Sequence, residues 1–252
     1  MAYSEITSRK NEKAAHIKKL ASSASYRREC GEFFADGEKL LREAVMWGVE
    51  IRDVFFSGDE PDFLPDNVKK YRVPQAIIEY ISPMQTPQAV AFSAKIPDKN
   101  DKPGLSGSVI LENIQDPGNA GTMIRTANAF GIKSVLLLGA CADVWSPKTI
   151  RASMGAGFRE NVSAISYDEL NALKAGGAKL YGAALSEKSA DVRSCDLNNA
   201  AVAIGNEGSG LTKTLIDMCD GEIIIPMNSQ CESLNAAAAA AVIMWEMARE
   251  RL

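Results

Sequence analysis

The chain has 252 residues, 46% of them hydrophobic, and a formal net charge of −4 at neutral pH. That balance supports a globular core in one large domain or two small ones and excludes a protein coated in positive field. No apolar run is long enough to span a bilayer, and the N-terminal MAYSEITSRKNEKAAHIKKL lacks the apolar stretch of a secretory signal, so a cytoplasmic protein without membrane contact is expected.

The first 28 residues hold Arg9, Lys10, Lys13, Lys18, Lys19, Arg27 and Arg28 against Glu5 and Glu12, a local excess of five positive charges. Such an arm suits RNA, and it equally suits a solvated helix face. His16, the single histidine, lies in this stretch and reads as a charged surface residue, which argues against Ser-His-Asp chemistry. From residue 32 to 47, Phe33, Phe34, Leu40, Leu41, Ala44 and Val45 predict an amphipathic helix after a short strand. Residues 54–57 read as a strand, 75–80 as a helical turn and 89–93 as a closing strand, together a small α/β domain. The polar stretch PDKNDKPGLSG reads as a linker, placing domains at 1–97 and 107–252 around residues 98–106.

Beyond it, strands are expected at 108–111, 134–138, 179–184, 201–204 and 222–225. Helices are expected at 120–130, 148–154, 168–175 and 211–218. Short apolar strands alternating with helices signal a parallel sheet covered on both faces, whose ligands bind beyond the carboxyl ends of the strands. The cysteines Cys30, Cys141, Cys195, Cys219 and Cys231 form no CxxC pair, so reduced thiols are expected and a metal site is not.

Three loops at those strand ends carry the chemistry. Residues 113–125, NIQDPGNAGTMIR, place Asn119 as an N-cap, Gly121 where a partner could approach, and Arg125 as a fixed cation in a helix N-terminus. An ordinary capped helix with a surface arginine would read the same, and the pattern is neither GxGxxG nor a P-loop. Residues 204–211, IGNEGSGL, set Glu207 among three glycines, either against a ligand or in a plain turn. Residues 223–241, IIIPMNSQCESLNAAAAAA, run from a strand through a polar loop into six alanines. So small a helix start suggests a close neighbour: a ligand, a helix or a second subunit. Cys231 has no histidine to activate it and reads as incidental.

In order and spacing, NxxDPGNxGxxxR, GNEGxGL and IPM followed by SLNxAxA resemble the three motifs of the SpoU (TrmH-type) RNA ribose methyltransferases of the SPOUT superfamily. Ser146-Pro147-Lys148 and the RASMGA run from Arg151 to Ala156 resemble the segment between the first two motifs, so the likeness covers roughly residues 107–250. More weakly, the first half resembles that family's substrate-binding domain, itself similar to small RNA-binding ribosomal proteins. SYRR at 25–28 and FFADGE at 33–38 stand where that domain has an Arg-rich stretch and Val-Glu-Gly, here with Ala-Asp for Val-Glu.

The resemblance implies an α/β fold with a C-terminal trefoil-knotted parallel-sheet domain. It implies a homodimer that binds S-adenosyl-L-methionine and methylates a ribose 2′-hydroxyl of RNA. By position, Gly205, Asn206, Gly208, Ile225, Pro226, Met227 and Leu234 would hold the cofactor, largely through backbone, with no metal. Asn119, Arg125, Glu207, Ser233 and Asn235 match the polar catalytic set. The two-domain layout favours rRNA of the 23S type over tRNA. A non-catalytic RNA-binding protein of the same fold is the competing class; a Rossmann enzyme lacks its glycine fingerprint.

Overall fold

The structure is a computed structural model that describes residues 3–98, 103–228, 230 and 233–251. The chain forms two compact units, Met1–Asp98 with Asp143–Phe158, and Lys99–Ala142 with Arg159–Leu252.

The first unit runs β1 (Ser4–Glu5), α1 (Glu12–Ser22), α2 (Ala24–Cys30), β2 (Glu32–Asp36), α3 (Glu38–Met46), β3 (Ile51–Phe56), β4 (Lys69–Arg72), α4 (Gln75–Ile81) and β5 (Val90–Lys95). Its mixed sheet has the order β1-β4-β3-β5-β2, with β5 antiparallel to both neighbours. Phe33, Phe56 and Phe92 fill one face of this sheet; Phe34 and Phe55 fill the other, beside Ile17, Leu20 and Ile78. Consecutive phenylalanines on opposite faces are a strand pattern. Residues 32–47 thus divide into the short strand and the helix expected there: Phe33 and Phe34 belong to β2, and helix begins only after Gly37, whose φ of 114° breaks the strand.

The N-terminal cations also divide. Arg27 is 4% exposed and donates to Asp143 at 2.6 and 2.9 Å, an internal tie rather than a free positive charge. Lys13 pairs with the buried Asp53 at 2.9 Å. His16 is half-buried, its ring nitrogens 2.9 Å from the Tyr26 hydroxyl and 3.0 Å from Glu32, which corrects its reading as a surface charge. Exposed Arg9 and Lys18 stay at the surface, 5.3 and 3.6 Å from the Tyr80 ring centre, along a groove of about 450 Å³.

The second unit begins with β6 (Ser108–Glu112), α5 (Pro117–Ala129) and β7 (Ser134–Leu138). The chain then lends residues 143–158, with α6 (Pro147–Ser153), to the first unit. There Ile150 and Phe158 join the core, and Trp145 and Phe158 stack on Phe33 with ring centres 5.1 and 5.5 Å away. The second unit resumes with β8 (Val162–Ile165), α7 (Tyr167–Lys174), β9 (Leu180–Ala183), β10 (Ala190–Asp191), β11 (Ala201–Ile204), α8 (Lys213–Met218), β12 (Gly221–Ile224) and α9 (Ala236–Ala248).

Its seven strands lie in the order β10-β12-β9-β11-β6-β7-β8, every pairing parallel, as the alternating pattern predicted. The short β1, β4, β8 and β10 were not anticipated; they are polar or only two to four residues long, too brief for a periodic signal. Ile110, Leu136, Leu180 and Ala203 fill one face with Leu170 and Leu215. On the opposite face α5 packs against α9. Ala236, Ala237 and Ala240 are buried, as are Gly121, Ile124 and Ala127 of α5. The close neighbour of the alanine helix is thus another helix.

Candidate active site

All-parallel strands deliver every strand-to-helix loop to one edge of the sheet. The loops after β6, β11 and β12 are the three singled out by sequence. The first differs from expectation at its cap. Asp116, not Asn119, is the N-cap of α5: its carboxylate accepts the Asn119 backbone N–H at 2.7 Å, and Pro117 occupies the first helical turn. Proline suits that turn because its fixed φ is helical and its missing N–H has no partner there anyway.

Released from capping, the Asn119 side chain turns to the other two loops. Its Nδ2 donates to Glu207 Oε1 at 2.7 Å, and its Oδ1 accepts from Asn235 Nδ2 at 3.2 Å. Asn235 in turn caps α9, its Oδ1 accepting the N–H groups of Ala237 and Ala238 at 2.9 and 3.3 Å. One residue from each loop is thereby joined in a single hydrogen-bonded run, Glu207–Asn119–Asn235. Arg125 does not enter it. Its side chain is exposed and pairs with no carboxylate among the described residues, leaving a guanidinium on the open face of α5.

The middle loop is closed upon itself. Asn206 and Gly210 exchange backbone hydrogen bonds at 3.1 and 2.9 Å, and Asn206 Oδ1 accepts the N–H groups of Gly208 and Ser209. A Cβ on Gly205 would lie 2.2 Å from the Gly210 carbonyl carbon, so this glycine is required by the loop's own return. Asn206 Nδ2 also donates to the Asn113 carbonyl at 2.9 Å.

Beside the third loop lies an apolar cleft of about 190 Å³, walled by Ala184, Leu185, Ile225, Met227 and Leu234, with Ser233 among its lining residues. Ala239 of α9 also lines it, where a larger side chain would intrude. Of the residues expected at a cofactor, Ile225, Met227 and Leu234 line this cleft; Gly205, Asn206, Gly208 and Pro226 do not. The wall at 183–185 escaped the sequence reading. Its residues are unremarkable in type, and only their position past β9, beside β12, marks them.

Two of the cysteines are held as thiols. Burial pushes the Cys141 thiol up, and it pushes that of Cys219 up to about 12. Cys231 lies outside the described residues. Also among the described residues, no group of three His, Cys, Asp or Glu side chains could hold a metal ion, and no helix is long and apolar enough to cross a membrane.

The chain is similar to known proteins in sequence and in fold. The model of the SpoU rRNA Methylase family matches residues 107–245, spanning all three loops. The 23S rRNA (guanosine(2553)-2′-O)-methyltransferase RlmP of Bacillus subtilis is 32% identical over 96% of this chain and 98% of its own length. The AdoMet-bound rRNA methyltransferase from Sinorhizobium meliloti superposes with a TM-score of 0.88 at 27% identity, covering 99% of both chains. The SpoU methyltransferase AviRb from Streptomyces viridochromogenes, solved with AdoMet, gives 0.82 at 26% identity over 96% of this chain and 98% of that one. The family model takes in more than half of the sequence, and the chain belongs to the SpoU rRNA methylase family.

Proposed function

We propose that this chain transfers the methyl group of S-adenosyl-L-methionine to a ribose 2′-hydroxyl of ribosomal RNA. The observation that carries this reading is the run Glu207–Asn119–Asn235, which gathers the three loops beside an apolar cleft. The cleft suits the cofactor: apolar walls for a flat base, small alanines for close approach, and a serine hydroxyl in the lining. Ile225, Met227 and Leu234 would flank the base, with the backbone around Gly205, Asn206, Gly208 and Pro226 completing the cradle.

The bound cofactor supplies an electrophilic methyl on a sulfonium, so the protein's task is to position the hydroxyl and manage its proton. Arg125 is unsuited to accept that proton, because a guanidinium keeps its charge in proteins. It holds an RNA phosphate or stabilises the developing alkoxide instead, while the proton leaves through phosphate or water. Asn119, Glu207, Ser233 and Asn235 orient the participants.

The same reading assigns residues 1–97 to RNA binding, 98–106 to a linker and 107–252 to methyl transfer. It takes the first unit as similar to small RNA-binding ribosomal proteins and the second as a trefoil knot. The working form is a cytoplasmic homodimer built on the C-terminal domain, supported by Val242 and Trp245, which α9 leaves 39% and 47% exposed. Ribosomal RNA is favoured over tRNA because two relatives matched along more than nine-tenths of their own length bear 23S rRNA names.

Mapping 2′-O-methylation on rRNA and tRNA from cells with and without the gene tests the reading. One rRNA ribose should lose its methyl group; a lost tRNA methyl would redirect the substrate. Calorimetric titration of the purified protein with S-adenosyl-L-methionine should show binding, and its absence would leave a non-catalytic RNA-binding protein.

A further inference from the structure

Glu112, the last residue of β6, is a carboxylate with no exposed surface, and the chemistry above does not use it. Three donors converge on it. Oε2 accepts the Thr212 backbone N–H at 2.7 Å, while Oε1 accepts the Thr212 hydroxyl at 2.6 Å and the Tyr167 hydroxyl at 2.5 Å. Thr212 Oγ1 also accepts the Leu215 N–H and so starts α8. Burying a carboxylate is costly unless its oxygens are satisfied, and no apolar packing needs one here.

What Glu112 grips is the exit of the loop that carries Glu207. The entrance is held by the next residue of the same strand end, since Asn206 Nδ2 donates to the Asn113 carbonyl. Between these two tethers the loop is pinched by the Asn206–Gly210 pair, and from it Glu207 reaches Asn119 at 2.7 Å. Cutting the exit tether leaves the Asn113 contact to hold the loop.

We propose that Glu112 is a positioning residue: through Thr212 it fixes the 205–212 loop and so sets where Glu207 meets Asn119. The assignment rests on the methyltransferase reading for its consequence, but not for its geometry. A carboxylate is needed because all three partners donate, one of them a backbone N–H that cannot reverse its role. Burial and the bond to Glu112 raise the Tyr167 pKa, which keeps that phenol a donor.

The test compares Glu112→Ala, Glu112→Gln, Thr212→Val and Thr212→Ser in the full chain, below each variant's melting temperature. Amide exchange at Gly208 and Ser209 in the cofactor-free protein should accelerate at least tenfold in Glu112→Ala and Thr212→Val. It should change partway in Glu112→Gln and stay near wild type in Thr212→Ser. At saturating cofactor, kcat on rRNA should fall in the same order, with KM for RNA unchanged. Wild-type exchange at those amides in a cooperatively folded Glu112→Ala or Thr212→Val would overturn the assignment. So would a lower melting temperature with no change in exchange or kcat, the mark of a merely structural group. A wild-type protein that binds no cofactor would refute the methyltransferase reading, while the exchange measurement still judged the tether.

Discussion

The two units are both α/β, yet they spend their strand ends differently. In the first, β5 runs against its neighbours, so connections leave from both ends of the strands. Its faces are filled with aromatic rings, and its distinctive surface is a groove flanked by Arg9 and Lys18. In the second unit every strand is parallel, and three polar loops meet at one edge. Strand direction, more than residue content, separates a unit suited to presenting charge from one suited to chemistry.

The sharpest way to break that comparison is to remove the exposed Arg125 of the second unit. Arg125→Ala should lower methyl transfer about a thousandfold, the scale of losing one charge-stabilising donor, while cofactor affinity stays near wild type. Arg125→Lys should recover little of the rate, because an ammonium cannot grip phosphate with two parallel bonds. Near-normal turnover by Arg125→Lys would discard the bidentate role.

Next in size is the aromatic core of the first unit. Phe158→Ala should cost about 3 kcal/mol, because the ring is 5% exposed and stacks on Phe33. Denaturant melts followed by Trp145 fluorescence would measure it, with cofactor affinity of the second unit unchanged.

A smaller effect is expected at the groove. Arg9→Glu with Lys18→Glu should weaken RNA binding about tenfold and flatten its salt dependence, with cofactor binding untouched. An unaltered salt slope would remove these cations from the RNA surface.

The smallest effects are expected from pH, and they run in opposite directions in the two units. In the second, hydrogen bonds from Arg193 hold Asp191 at about 2, and the Leu180 N–H and a serine N–H lower Asp220 and Glu169. Depressed carboxylates stabilise above their ordinary values near 4 and lose that contribution as pH falls toward 2. In the first unit burial works to lower Lys13, and Asp53 overcomes it to raise the pKa above 10.5. That stability is complete below 10.5 and is lost as pH rises through the raised value. Each of these groups keeps part of its side chain at the surface, so both changes should shrink in salt. Circular dichroism with fluorescence of Trp245 against Trp145 would separate the units.

Sequence exposed the second unit more fully than the first, for physical reasons. Parallel strands buried on both faces are short apolar runs, as at Val109–Leu111 and Ala201–Ile204, and they stand out between glycine-rich loops. Phe33-Phe34 left the boundary between strand and helix unplaced, because a doublet filling two faces of a sheet also fits one stripe of a helix. Asn119 was singled out, but its neighbour Asp116 competed for the cap, and Pro117 was the overlooked sign of where the helix begins. The Asn119–Glu207 bond spans 88 residues and the Asn119–Asn235 bond 116, contacts that motif order suggests and only folding makes. Glu112 was hidden in plain view: a charged residue ending an apolar strand looks like the start of a solvated loop.

The loan of residues 143–158 has a consequence for synthesis. Residues up to Asp98 leave the ribosome first, but Trp145, Ile150 and Phe158 follow about 60 residues later. At about 5–20 residues per second, the first unit waits about 3–12 s with the Phe33 ring uncovered. By then the strands of β6 and β7 have already been made. Exchange of the first unit between relatives by recombination would also need one crossover after residue 98 and one on each side of the loan, and a single crossover after residue 98 would leave each hybrid with a foreign aromatic plug.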